Sequence, residues 1–195
     1  SLCMPPKTAV ERLAEQATPS IAGGIDANGI IALIPMRPYD IIGDIRCGRG
    51  ELTLPLARYA CWGKVYAVDA DQDALGAVAS KAQQSRIGNV ETVQAKESSV
   101  PLEDASLDGA LLAGVLGEAS RPKSVLKEAF RLLKKGGWAA VIEWAKVDAK
   151  ERAGGSQSGQ RRSGDDVAEA AAEIGFKRVS LRPLNGNRYL LVLRK

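Results

Sequence analysis

"IIGDIRCGRGELTLPLA", residues 41–57, decides how the rest of the chain is read. An apolar run, a tight glycine-bearing loop and a helix-forming segment make the strand–loop–helix unit that cradles a nucleotide. Gly48 and Gly50 let a ligand approach the backbone, whereas Arg46 stands where the tightest part of the turn favours glycine. The next apolar run, "KVYAVD" (64–69), closes on Asp69, 19 positions beyond Gly50. An acid about 20 positions past such a loop is the one that grips ribose hydroxyls. A third run ends in "VQAKESSVP" (93–101), which sets Lys96 and Glu97 beside the same crevice.

Working outward, strand and helix patterns alternate from residue 38. A helix over about 51–60 follows the loop. After the second strand a helix carries Ala74, Leu75, Val78, Ala79 and Ala82 on one face, with Gly88 past its end. "VETVQ" (90–94) and "LDGALLA" (107–113) read as strands three and four. Ser120 reads as the cap of a helix that buries Val125, Leu126, Ala129, Leu132 and Leu133 and stops at Gly136-Gly137. "WAAVIEW" (138–144) is strand five. A polar Gly/Ser-rich loop leads to a helix over 165–174 that Ser163 starts and Gly175 ends. "FKRVSLRP" and "NRYLLVLR" flank "LNG", whose Asn-Gly signals a hairpin. The expected fold is therefore α/β: a Rossmann-like, doubly wound, seven-stranded and mainly parallel sheet with a C-terminal antiparallel hairpin. Residues 38–195 form the α/β domain. Residues 1–37 form an N-terminal helical or lid segment, amphipathic over 7–17. Gly43 inside strand one is unexpected, because it would leave a gap where a large side chain packs.

Composition narrows the function. The 195 residues carry a net charge of +4 and a sequence pI of about 9.0, but the positives are dispersed. Lys134-Lys135 suits a helix end and Arg161-Arg162 a loop, so a solvated surface explains them better than a nucleic-acid footprint. Histidine is absent, which removes the commonest base and metal ligand. Cys3, Cys47 and Cys61 lack metal-ligand spacing, and no metal site is expected. The opening "SLCMPPKTAVERLAEQ" is not a secretory signal and no run spans a membrane, so a reduced, cytoplasmic protein is expected.

With this order of elements, "DIRCGRGELTLPLA", "KVYAVDADQDAL", "VETVQAKESSVPLEDASLDGALL" and "VLKEAFRLLKKGGWAAVIEW" together resemble the class I S-adenosylmethionine-dependent methyltransferases. The likeness is to the small-molecule group that includes the quinone-biosynthesis C-methyltransferases, and it runs from about residue 38 to the end. It implies S-adenosyl-L-methionine as cofactor, S-adenosyl-L-homocysteine as product and a small-molecule acceptor. Cys47, Gly48 and Ala113 would then lie on the methionine side, Asp69 on the ribose, and Ala70 and Glu97 against the adenine. Asp44, Arg46, Gly50 and Lys96 complete the expected cofactor cluster, with Asp44 organising the amides of its own loop. An aligned sulfonium donor needs little acid–base machinery, so the lack of histidine does not count against transfer.

Two positions depart from that family. Arg46 replaces a glycine, and a guanidinium about 4 Å from a sulfonium repels it by roughly 4 kcal/mol, while the same group near the methionine carboxylate attracts by a similar amount; the bland alternative points the side chain to solvent. Lys96 replaces an acid and, as a donor only, cannot accept from an adenine amino group. Gly117 lies where many relatives carry a polar group facing the acceptor. Two readings stay open: a methyltransferase acting by in-line transfer, and a non-catalytic methyltransferase-like scaffold with degenerate cofactor motifs. Glu118 and Glu143, at the ends of strands four and five, are the candidate bases, with structural or solvent-exposed roles as the alternative. Cys47 reads as filler rather than nucleophile. "LAGVLGEAS" (112–120) has no Asn/Asp-Pro-Pro-aromatic motif and no Cys-Pro pair, which disfavours a nucleic-acid acceptor. Residues 1–36 and 146–163 are expected to act as lids, and a homodimer stays open.

Overall fold

A computed structural model describes residues 24–146 and 161–195. Its elements are α1 (Ala27–Leu33), β1 (Ile41–Ile45), α2 (Thr53–Tyr59), β2 (Lys64–Asp69), α3 (Gln72–Gln84), β3 (Val90–Gln94), β4 (Leu107–Ala113), α4 (Pro122–Leu132), β5 (Leu133–Trp144), α5 (Gly164–Ile174), β6 (Lys177–Leu184) and β7 (Arg188–Arg194). One seven-stranded sheet takes the order β3-β2-β1-β4-β5-β7-β6. Strands β1 to β5 pair in parallel, while β7 runs antiparallel to both β5 and β6. This is the expected doubly wound sheet. The chain leaves β1 toward β2 and β3, then returns to β4 on the other side, so strand order reverses between β1 and β4.

Helices cover both faces because the central strands are apolar on both. On one face Val125, Leu126, Ala129 and Leu132 of α4 and Val167 and Ala171 of α5 pack on Ile45, Leu112, Val141 and Leu191. On the other, Ile30 and Ile31 of α1 and Leu56 and Ala57 of α2 pack on Ile42, Leu111, Trp138 and Ile142. The part of the expected N-terminal lid that the structure describes is thus a sheet-covering layer: Ile30, Ile31, Ile34 and Met36 are buried. Residues 1–23, with the amphipathic stretch 7–17 and Cys3, and most of the expected second lid lie outside the described residues.

Several local expectations are corrected. Gly43 leaves no gap, because a Cβ there would stand 2.8 Å from Leu107 Cδ1 and 3.2 Å from Ile45 Cδ1. Leucine from the neighbouring strand has taken the volume. Ser120 does not cap α4: Arg121 occupies the N-cap without a side-chain bond, and Pro122 at the first turn lowers the number of amides to be satisfied. The helix ends at Leu132 rather than at Gly136-Gly137. Leu133 is already extended and pairs with Leu107, so sheet pairing overrides the glycine stop. Lys134 and Lys135 therefore belong to β5, with Lys134 Nζ 3.0 Å from Asp108. The left-handed residue after α3 is Arg86, two positions before Gly88. In the final hairpin the positive φ values fall on Gly186 and Asn187, one step past the Asn-Gly pair. Ser163 does cap α5, in a reciprocal box with Asp166.

Candidate functional site

The carboxyl ends of β1, β2, β4 and β5 converge on one crevice, at the place where ligands bind in open sheets of this type. Loop 46–50 wraps its floor. Cys47 N–H donates to Val68 O at 2.9 Å, tying the loop to β2, and Gly48 and Gly50 hold φ of 54° and 81°. A Cβ on Gly50 would press within 3.0 Å of Val78, whereas nothing lies within 4 Å of one on Gly48. The two glycines therefore differ in use: one lets α3 pack close, and the other leaves the backbone open to the crevice.

The organising of the loop amides, expected of Asp44, falls to Asp69. Asp69 is the loop organiser, with Oδ2 accepting from Gly48 N–H and Oδ1 from Asp71 N–H, each at 2.9 Å. Each oxygen keeps a lone pair for a further donor. Asp44 instead lies fully inside and accepts from Thr53 Oγ1 at 2.6 Å; no loop amide among the described residues reaches it. Burial pushes its carboxyl up to about 6, with the Thr53 bond opposing and Asp69 adding to the shift. Burial, with help from Asp44 and Asp69, likewise pushes the Cys47 thiol up, which suits a filler and not a nucleophile. Ala70 and Lys96 are exposed, Glu97 and Ala113 half-buried. Among the described residues Lys96 is held through its backbone, whose carbonyl accepts from Ser99 N–H at 3.0 Å.

Arg46 does not point to solvent. It keeps φ at 62° and crosses the crevice, its guanidinium donating to Gly114 O at 3.4 Å and to the Glu118 carboxylate. A non-glycine residue in that conformation costs roughly 1–3 kcal/mol, and a half-exposed ion pair returns only about 0–1 kcal/mol. The pair is therefore not what makes the conformation favourable. It joins the two lips of the crevice at the point of strand reversal.

Beneath the β4 lip lies Glu143, 5% exposed. Its Oε1 accepts from Leu116 N–H at 2.7 Å and Gly117 N–H at 3.2 Å, which fixes the 114–118 turn. Gly117 thus acts through its amide. Burial first, then the charge of Glu118, push the Glu143 carboxyl up to about 7, against the pull of its two amides and Arg46. Its cross-strand partner in β7 is Tyr189, 5% exposed, whose hydroxyl has no hydrogen-bond partner among the described residues. Burial, and then the Glu143 charge, push that phenol up. Thr53 and Tyr189 are the residues that reading the sequence missed. Thr53 sits nine positions past Asp44 on the next helix, a spacing with no signature, and Tyr189 meets Glu143 only through the hairpin register. Among the described residues no cluster of three or more metal-ligating side chains occurs, and no helix is long and apolar enough to cross a membrane.

A parallel sheet of this order, with a glycine loop after β1 and an acid closing β2, defines the class of α/β proteins that take a nucleoside-bearing ligand at the strand-reversal crevice. A family model described as a methyltransferase domain matches residues 43–141, half of the chain, and the chain belongs to that family. The expected membership of the class I methyltransferases holds. The chain is 31% identical over 123 residues to the ubiquinone/menaquinone biosynthesis C-methyltransferase UbiE of Rhizobium leguminosarum, covering 61% of this chain and 47% of that one. It spans about half the length of the curated relatives it matches. A SAM-dependent methyltransferase from Aquifex aeolicus superposes with a TM-score of 0.81 at 22% identity, over 96% of this chain and 99% of that one. The Burkholderia thailandensis 1,6-didemethyltoxoflavin-N1-methyltransferase, solved with 1,6-didemethyltoxoflavin and S-adenosylhomocysteine bound, gives 0.70 at 21% identity, over 87% and 76%. At these identities the two structures establish the fold.

Proposed function

We propose that the protein is an S-adenosyl-L-methionine-dependent methyltransferase acting on a small-molecule acceptor. The observation that carries the reading is the Gly48–Asp69 link: an open glycine backbone locked to a strand-end carboxylate that still has accepting capacity. The nucleoside half of the cofactor fits this arrangement. Asp69 would hold the ribose hydroxyls, Ala70 and Glu97 would border the adenine, and Cys47, Gly48 and Ala113 would border the methionine part. Gly50 lets α3 pack close behind the loop, and Asp44 is tied to Thr53 of α2. Lys96, exposed and unable to accept, is given no adenine contact in this proposal. The bound cofactor supplies an activated methyl group, and the chain's contribution is to hold donor and acceptor in line.

On the acceptor side, Glu143 is suited to take a proton near neutral pH, because a base works best when its pKa lies near that of the medium. Hydroxylated aromatic acceptors are the class to try first, given the relative's quinone-biosynthesis name. Nucleic acid is not proposed. A cytoplasmic setting and a homodimer belong to the same reading; Cys47 and Cys61 form no disulfide among the described residues, and sedimentation tests the dimer. Titration calorimetry with S-adenosylmethionine and S-adenosylhomocysteine tests the proposal, followed by transfer of labelled methyl to a panel of hydroquinones and phenols. Micromolar binding with labelled product supports it. No heat at millimolar ligand overturns it and leaves the scaffold reading, which the Arg46–Glu118 bridge across the crevice favours.

A further inference from the structure

Of the two arginines in the floor loop, Arg49 is exposed while Arg46 is partly buried, and Arg46 is set there against the preference of the backbone. Its neighbours in the site, Asp44, Asp69, Glu118 and Glu143, are all acids. Asp44 is bonded to Thr53, Asp69 to two amides, and Glu143 to two amides. Among the described acids only Glu118 answers Arg46, and it comes from the opposite lip, five residues past the end of β4. Both members of the pair remain accessible, with side chains 37% and 39% exposed. A planar guanidinium takes a carboxylate through two parallel N–H bonds, and it does not distinguish a protein carboxylate from a ligand's. An exposed pair of this kind is weak enough to exchange.

We propose that Arg46 is a specificity-determining residue that reads the α-carboxylate of the cofactor's amino-acid tail, and that Glu118 is the resident carboxylate it gives up when that tail enters. The inference rests on the S-adenosylmethionine reading above and assigns it a selection rule. A nucleoside bearing an α-amino acid is preferred over the same nucleoside without one. The charge near the sulfonium ceases to be a penalty, because the guanidinium is matched to the negative end of the tail. No covalent step is involved.

The test is a two-by-two comparison by titration calorimetry: S-adenosylhomocysteine and 5′-methylthioadenosine, against the parent protein and Arg46→Met. The two ligands share the thioether nucleoside and differ in the carboxylate-bearing end. Methionine keeps the length and the apolar stem of the side chain and removes the charge. Arg46→Met is expected to weaken S-adenosylhomocysteine by tenfold or more and to leave 5′-methylthioadenosine within twofold. Glu118→Gln, which removes the competitor, is expected to tighten S-adenosylhomocysteine by up to about fivefold. Both positions are half-exposed, so thermal melts within about 3 °C of the parent confirm that the variants are folded. If 5′-methylthioadenosine binds and Arg46→Met weakens both ligands equally, or neither, the inference is overturned while the nucleoside site stands. If Glu118→Gln loosens S-adenosylhomocysteine, the placeholder role falls. If the parent binds neither ligand, the cofactor reading falls and takes this inference with it.

Discussion

Replacing Glu143 by glutamine should raise stability, and should do so only above a defined pH. Glu143 is 5% exposed, and burial holds its carboxyl near 7 instead of the usual 4.5. Between those values the native state keeps a proton that the unfolded chain has already released. Stability therefore falls as pH rises through that window, and the loss is complete above about 7. A displacement of this size corresponds to about 3 kcal/mol. Glutamine keeps a carbonyl oxygen for Leu116 N–H and Gly117 N–H but cannot ionise. At pH 4.5 the variant and parent should melt within about 2 °C of each other. At pH 8.5 the variant should melt about 6–12 °C higher, at 2–4 °C per kcal/mol for a domain of this size. Asp44 is displaced in the same direction, to about 6, but it is present in both proteins and cancels in the difference. Thermal denaturation in a constant-ionic-strength buffer series reads the effect. Parallel pH profiles for the two proteins would show that Glu143 titrates normally, and its proposed use as a base at neutral pH would lose its physical ground.

Asp69→Ala removes the acceptor of two loop amides, so it should cost about 1–3 kcal/mol by urea denaturation as well as weaken nucleoside binding. The ribose contact is isolated instead by comparing S-adenosylhomocysteine with its 2′-deoxy analogue: the parent should prefer the former by about tenfold, and equal affinities would remove the ribose role from Asp69. Gly109→Ala drives a Cβ to 2.1 Å from the Trp138 ring, whose Nε1 is bonded to Asp40 at 3.3 Å, and should lower stability by about 2–3 kcal/mol in the same assay. Tyr189→Phe removes a hydroxyl already without a partner among the described residues. It should leave the melting temperature unchanged or raised, and a drop of several degrees would reveal a bond to that hydroxyl.

The strands were legible because their signal is local. "KVYAVD" and "VETVQ" are bounded apolar or alternating runs, and both appear with the expected limits. Ser163 was legible as a cap because Ser-x-x-Asp closes on itself within one turn. The failures at Leu133 and Gly43 are tertiary. Leu133 looks helical until Leu107 pairs with it, and Gly43 looks like a void until Leu107 reaches across from β4. In the site, the glycines and the strand-end acid were visible as positions, but not the division of labour between Asp44 and Asp69. That depends on which carboxylate Thr53 can reach, and so on how α2 lies over β1. The Arg46–Glu118 bridge was the least legible feature, since it joins residues 72 positions apart through loops that carry no pattern.

That bridge also changes what the missing glycine means. A degenerate loop would be expected to lose its organisation together with its glycine, yet Cys47 N–H still reaches β2, Gly48 still meets Asp69 and Gly50 still admits Val78. The substitution is confined to one side chain, and that side chain is bonded to Gly114 O and Glu118 at the opposite lip. The two halves of the crevice are consequently made of different material. The nucleoside half is built from backbone and a bonded carboxylate, and remodelling it would strand the amides of Gly48 and Asp71. The other half is an accessible ion pair that a solute carboxylate can open. Discrimination between ligands should then reside in the tail, where exchange costs little, and not in the base, where every ligand meets the same fixed wall.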